Sequence, residues 1–254
     1  LRMLIVISLV VTLMLSGTIM YEILAHEPFP KVVALTFDDG PHPVYTPKIL
    51  DILQRYNVKA TFFLIGKQVE QFPEIARQIV SEGHEIGNHT YSHPNNLPKE
   101  NWDEVRSEIE KCSTAIERVT GIRPKFFRPP RGFLNYRVLT LAQLEGYTIV
   151  LWTVSADHKD APTPQAMAKR VLKLVHPCAI ILMHDGRVSS RWKDVKALPL
   201  IIEGLRKQGY EFVTISELFK LYGKRYCSIN FSADLAINSA PKSNSSRLSS
   251  PMAL

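Results

Sequence analysis

No CxxC pair occurs in this chain, and three cysteines, Cys112, Cys178 and Cys227, cannot all pair with one another. A thiolate metal centre is therefore disfavoured. Cys112 falls on the apolar face of a predicted helix and Cys178 at the start of a predicted strand, so both read as packed thiols rather than a disulfide framework. No glycine-rich phosphate loop follows the first predicted strand, which removes the main signature of a nucleotide-binding sheet. Also missing is a basic run interleaved with aromatics. The formal charge of +7 thus favours an acidic polymer or a phospholipid surface as surroundings, and no nucleic acid is expected.

Charge is absent again from residues 3–21, with Arg2 ahead and Glu22 behind. An uncharged run of that length and placement predicts a signal peptide or N-terminal membrane anchor over 1–24. Export follows as the expectation, either to the extracellular space and cell wall or to the outer face of the cytoplasmic membrane, held there through 3–21. Residues 25–30 read as a linker. Residues 223–254 are rich in Ser and Asn without apolar periodicity, the composition of a disordered tail.

What remains, 31–222, alternates strand and helix signals with little between them. Apolar runs predict strands ending at Phe37 and over 60–65, 84–88, 125–128, 148–154, 179–183 and 211–215. Between them lie helical patterns. Thr46-Pro47 reads as the cap of the first, and Trp102, Val105, Ile109, Cys112, Ile116 and Val119 step along one face until Gly121. A late helix is expected to begin near Pro199, and Ser216 to cap the last. Such alternation implies a parallel sheet, as an open doubly wound layer or a closed barrel.

The chemically loaded clusters all stand where a predicted strand stops. They are Asp38-Asp39, His89 to His93, Arg128 to Gly132, Asp157-His158 and Leu182 to Asp185. In a parallel barrel every strand C-terminus opens on one face, so these clusters converge there. His89 and His93 have the spacing of one helical turn and lie within reach of a single metal. One Asp added to them makes a two-His, one-carboxylate site, suited to zinc hydrolysis or to non-haem iron oxygenation. The neighbouring Asp is then free as a base, and His184 stands as proton donor to a leaving amine. Arg128, stiffened by two prolines, is placed to clamp Asp38 or Asp157.

The set TFDDG, HTYSH, RPPRG and LMH, in that order, resembles the polysaccharide deacetylase family built on the NodB-homology domain, carbohydrate esterase family 4. The resemblance covers 31–222. It implies a single catalytic domain with a distorted (β/α)7-8 barrel, and metal-dependent hydrolysis of acetyl groups on a polysaccharide. Carried onto this sequence it makes Asp38 the general base. Asp39, His89 and His93 hold a divalent metal, zinc first and cobalt as the alternative. His184 becomes the acid, Arg128 orients Asp38, and Asp157 or Asp160 steadies the histidine or arginine. It further implies that the backbone N–H of Arg131 serves the oxyanion, and that Leu182 and Trp152 line the acetyl pocket. Two departures stand out: Arg131 occupies a position often aromatic in the family, and Asp157-His158 stands where Asp-Trp is usual.

Peptidoglycan, through its N-acetylglucosamine or N-acetylmuramic acid units, is the substrate favoured at this level. Chitin-like oligosaccharide, exopolysaccharide and acetylated xylan are the alternatives, and a non-catalytic glycan-binding wall module is the competing class.

Overall fold

The structure, a computed structural model, describes residues 30–223. The expected leader, nearly all of the linker and tail, and Cys227 lie outside the described residues. The described residues from Val32 to Gly223 belong to one compact unit.

Strand β1, Val32–Asp38, is buried at all seven positions because both its faces are covered. Its odd residues Val33, Leu35 and Phe37 pack in a large cluster with Ile49, Leu53, Ile201 and Leu205. Its even residues Val32 and Ala34 pack instead with Phe63, Phe126 and Ile180. The period-two alternation of a strand thus divides a uniformly apolar sequence between an outer, helix-covered core and a smaller inner one. Thr36 and Asp38 continue the inner face toward the C-terminal end.

The other strands are β2 (Thr61–Leu64), β3 (Glu85–Asn88), β4 (Phe126–Phe127), β5 (Thr148–Ile149), β6 (Val154–Ser155), β7 (Ile180–His184) and β8 (Glu211–Phe212). They form an eight-stranded sheet in the order β5-β4-β3-β2-β1-β7-β6, with β8 also paired to β1. All the pairings run parallel. Among the described residues no ladder joins β5 to β6, so this is the distorted α/β barrel in a curled, incompletely closed form. Register places Thr36 opposite Leu182 and Asp38 opposite His184. Residues two apart share a face, so these four side chains lie on one side of the sheet.

Helices α1 (Tyr45–Arg55), α2 (Gly66–Gln71), α3 (Pro73–Ser81), α4 (Trp102–Thr120), α5 (Tyr136–Leu144), α6 (Pro164–Leu174), α7 (Trp192–Lys207) and α8 (Ile215–Tyr222) cover the sheet. None among the described residues is long and apolar enough to cross a membrane. The longest, α4, starts at a complete capping box of Asn101 and Glu104 and stops at Gly121 with φ +73°.

Several local expectations are corrected. Thr46 is not a cap: it sits inside the first turn of α1, and its hydroxyl donates to buried Asp185 at 2.6 Å. The run 148–154 splits into β5 and β6, which pair with different neighbours, β4 and β7. Pro199 lies within α7 rather than at its start. An internal proline costs about 3 kcal/mol, but Ala197, Leu198, Ile201, Ile202 and Leu205 are all fully buried and hold the helix against the core. Thr214, not Ser216, caps α8, in a capping box with Glu217. Cys112 is a buried free thiol as expected. Cys178, however, is disulfide-bonded rather than a free packed thiol.

Candidate active site

Asp38 ends β1, and the next residue turns sharply: Asp39 has φ +79°. This left-handed conformation, uncommon outside glycine, lets two adjacent carboxylates face one cleft although strand alternation would send them apart. The loop after β7 presses on this turn. A Cβ on Gly186 would collide with the Asp39 carbonyl, and one on Gly40 with the Asp185 carboxylate, so glycine is required at both contacts.

His89 and His93 reach the cleft from the loop after β3. They do not lie on a helical turn, as their spacing suggested. Thr90 at φ +69° and His93 at φ +56° bend the chain instead, while the Asn88 carboxamide accepts from the Thr90 N–H at 2.8 Å and donates to the Ile109 carbonyl at 2.8 Å. His89 Nδ1 lies 2.7 Å from the Arg128 carbonyl, which can only accept. Nδ1 therefore donates to that carbonyl, which leaves Nε2 as the ring nitrogen turned toward the acids. Asp39 Oδ1 stands 3.7 Å from His89 Nε2 and 3.3 Å from His93 Nε2. One ligand atom from each of Asp39, His89 and His93 falls within 4.8 Å of the others, and all three residues are buried. This donor set of two imidazoles and one carboxylate, with a tautomer fixed by a backbone carbonyl, fits a divalent cation such as zinc. Burial, reinforced by His89 and Arg187, pushes His93 down to about 3, so its imidazole is neutral and able to ligate.

Arg128 is fully buried beneath Asp38. Its NH1 donates to Asp38 Oδ1 at 2.6 Å and to Thr36 Oγ1 at 2.9 Å, Nε to the Val150 carbonyl at 3.0 Å, and NH2 to the Leu151 carbonyl at 2.9 Å. Phe63 lies under the guanidinium, 4.0 Å from its ring centroid. Of the two acids suggested for it, Arg128 thus holds Asp38. Asp38 Oδ2 is 3.7 Å from His89 Nε2. Burial raises the Asp39 carboxyl, with Asp38 adding to it and His89, Arg187 and Arg191 opposing.

His184 ends β7 beside Asp38. Burial first, then the Arg191 guanidinium, hold its pKa well below the usual imidazole range. Its Nδ1 lies 3.8 Å from Asp157 Oδ2. Asp160 does not take that place, being paired with Arg170 at 2.7 Å and His158 at 2.7 Å on the surface. Leu182 is buried on the same strand face as His184. Trp152, half-buried, packs over Gly132 and lies 5.7 Å from the Arg128 guanidinium. Arg131, at φ +59°, projects outward, and its NH2 reaches Asn95 Oδ1 at 3.2 Å.

Three further residues at this site, Arg187, Arg191 and Asp194, were not found from sequence, and Asp185 was named only as the end of its cluster. Arg187 lies 3.7 Å from Asp39 Oδ1 and within 2.9 Å of both ring nitrogens of His93. Arg191 lies 3.5 Å from Asp39 Oδ2. Asp194, raised to about 7 by burial against the pull of Arg191, accepts the His184 backbone N–H at 3.1 Å. Asp185, also raised to about 7 by burial, backs the turn at Gly40. The signal available was the density of polar residues directly after the β7 run, Asp185-Gly186-Arg187 through Arg191.

Comparison with known proteins gives the family. Residues 25–150 match the family profile described as polysaccharide deacetylase. A peptidoglycan-N-acetylglucosamine deacetylase of Bacillus cereus is 44% identical over 193 residues, which is 76% of this chain and 70% of the relative. A solved peptidoglycan N-acetylglucosamine deacetylase superposes with TM-score 0.72 at 43% identity, over 76% of this chain and 90% of that one. An acetyl xylan esterase of Clostridium thermocellum, solved with a cobalt ion, gives TM-score 0.71 at 37% identity, over 79% and 96%.

Proposed function

Because this chain belongs to the polysaccharide deacetylase family, we propose that it hydrolyses the N-acetyl groups of peptidoglycan amino sugars, N-acetylglucosamine or N-acetylmuramic acid. The observation that carries the proposal is the convergence, at one end of one sheet, of the Asp39-His89-His93 donor set with Asp38 and His184 side by side in register. A glycan-binding module needs no such combination of cation ligands, base and acid.

Asp39, His89 and His93 would hold the divalent metal, with zinc the metal proposed, and when bound it supplies Lewis-acid polarisation of the acetyl carbonyl. Asp38 takes a proton from the attacking water as oxygen bonds to the acetyl carbon. Arg128, locked by three other acceptors, keeps Asp38 aimed. The C–N bond then breaks as the proton taken by Asp38 passes through neighbouring His184 to the departing nitrogen, so acetate and a free amine leave and Asp38 is again a carboxylate. His184 is neutral at rest, and Asp157 stabilises the imidazolium that forms in passing. The Arg131 N–H steadies the developing oxyanion, while Leu182 and Trp152 bound the acetyl methyl. The wall polymer lies outside the cytoplasmic membrane, so export by way of the uncharged run 3–21, cleaved or retained, belongs to the same proposal.

Acetate release from purified peptidoglycan, chitooligosaccharide and acetylated xylan tests the reading directly. Peptidoglycan is expected to give the highest kcat/KM, with free amine appearing in equal amount to acetate. A clear preference for xylan would reassign the substrate, and no release from any polymer by metal-loaded protein would reject the deacetylase.

A further inference from the structure

The guanidinium of Arg191 joins three carboxylates that serve separate parts of the cleft. This residue closes a short 3-10 turn, Ser189–Arg191, at the start of α7, and its side chain is 11% exposed. NH2 lies 3.5 Å from Asp39 Oδ2. NH1 donates to Asp157 Oδ2 at 2.5 Å and lies 3.8 Å from Asp194 Oδ2. Nε donates to the Gly186 carbonyl at 3.3 Å, which fixes the group against the loop pressing on Asp39.

Each partner acts on a different atom. The two oxygens of Asp39 are divided: Oδ1 faces the Nε2 atoms of His89 and His93, and Oδ2 faces Arg191. The Asp157 oxygen that Arg191 holds is also the one 3.8 Å from His184 Nδ1. Asp194, through its other oxygen, accepts the backbone N–H of His184. A planar guanidinium with five donors in a fixed fork can serve all of these together, and an ammonium cannot.

We infer that Arg191 is a positioning residue that sets the orientation of the Asp39 carboxylate toward the two imidazoles and ties it to the acid that faces His184. Its contacts are to Asp39, Asp157, Asp194 and the Gly186 carbonyl, and its action runs through them. The inference rests on the deacetylase reading for its effect on turnover, but its effect on cation binding is measured without substrate.

The test compares wild type, Arg191→Gln and Arg191→Lys as full chains. Zinc is titrated into chelator-stripped protein against a chromophoric chelator, and kcat and KM for acetate release are measured well below each variant's melting temperature. Loss of a residue that orients a metal ligand weakens metal binding by about ten- to a hundredfold. Arg191→Gln is expected to show that loss, with kcat at saturating zinc falling and KM changing little. Arg191→Lys keeps the charge without the fork and is expected between the two. Should Arg191→Gln fail to fold, the lysine variant decides. Unchanged zinc affinity and kcat in a folded variant, with only a lower Tm, would overturn the inference, since that is the pattern of a merely structural ion network. Wild type that binds zinc but releases no acetate would instead fail the deacetylase reading and leave the affinity comparison standing.

Discussion

Asp38→Asn is expected to lower kcat by about two to four orders of magnitude, the usual worth of a positioned base, while zinc binding survives. The carboxamide is nearly isosteric, and its oxygen can still accept from Arg128 NH1, the bond now 2.6 Å long. Arg128 keeps its other acceptors on Thr36, Val150 and Leu151. Asp39, His89 and His93 are untouched, so the ligand set stays complete. What disappears is the one oxygen able to take a proton from water beside that set. A variant that binds zinc as wild type and turns over at an undiminished rate would show that the proton goes elsewhere.

Arg128→Met should be the most destabilising single change at the site. The side chain is fully buried, and its loss leaves the Asp38 carboxylate in the interior without its cation. Breaking a buried pair from one side costs about 3–5 kcal/mol. The Val150 and Leu151 carbonyls, which receive Nε and NH2, also lose their donors. Urea unfolding measures the effect, and Asp38→Asn combined with Arg128→Met is expected to recover part of it by removing the stranded charge. A loss below about 1 kcal/mol in the single variant would mean that water or a neighbouring side chain replaces the guanidinium at little cost.

The barrel was legible because buried parallel strands are apolar at nearly every position, as Val32 to Phe37 and Ile180 to Met183 are. Their ends could be read as well, since carboxylates and histidines interrupt those runs where the strands meet solvent. Less legible was anything decided by tertiary contact. Pro199 reads as a helix start locally, and only packing of Leu198 and Ile201 shows it to be internal. His89 and His93 suggest a helical turn by spacing, yet left-handed residues at 90 and 93 bring them together.

The arginines show the limit most clearly. Arg128 announces itself by two prolines, whereas Arg187 and Arg191 sit in a polar loop where charged residues ordinarily face water. Nothing in their spacing signals that the loop folds back over Asp39. That contact exists because Gly186 lets the backbone lie against the Asp-Asp-Gly turn. Asp194 is hidden for a similar reason: in the first turn of α7 it reads as a dipole-matching acid, but its carboxylate is buried and reaches the His184 N–H.

The most direct measurement is acetate release from peptidoglycan by chelator-stripped protein as zinc is returned in steps. Activity should be absent at the start and should saturate at about one equivalent of zinc per chain, with no recovery in a folded His89→Ala, His93→Ala double variant. Sustained turnover by protein that elemental analysis shows to be metal-free, or full recovery in the double variant, would contradict a cation held by Asp39, His89 and His93.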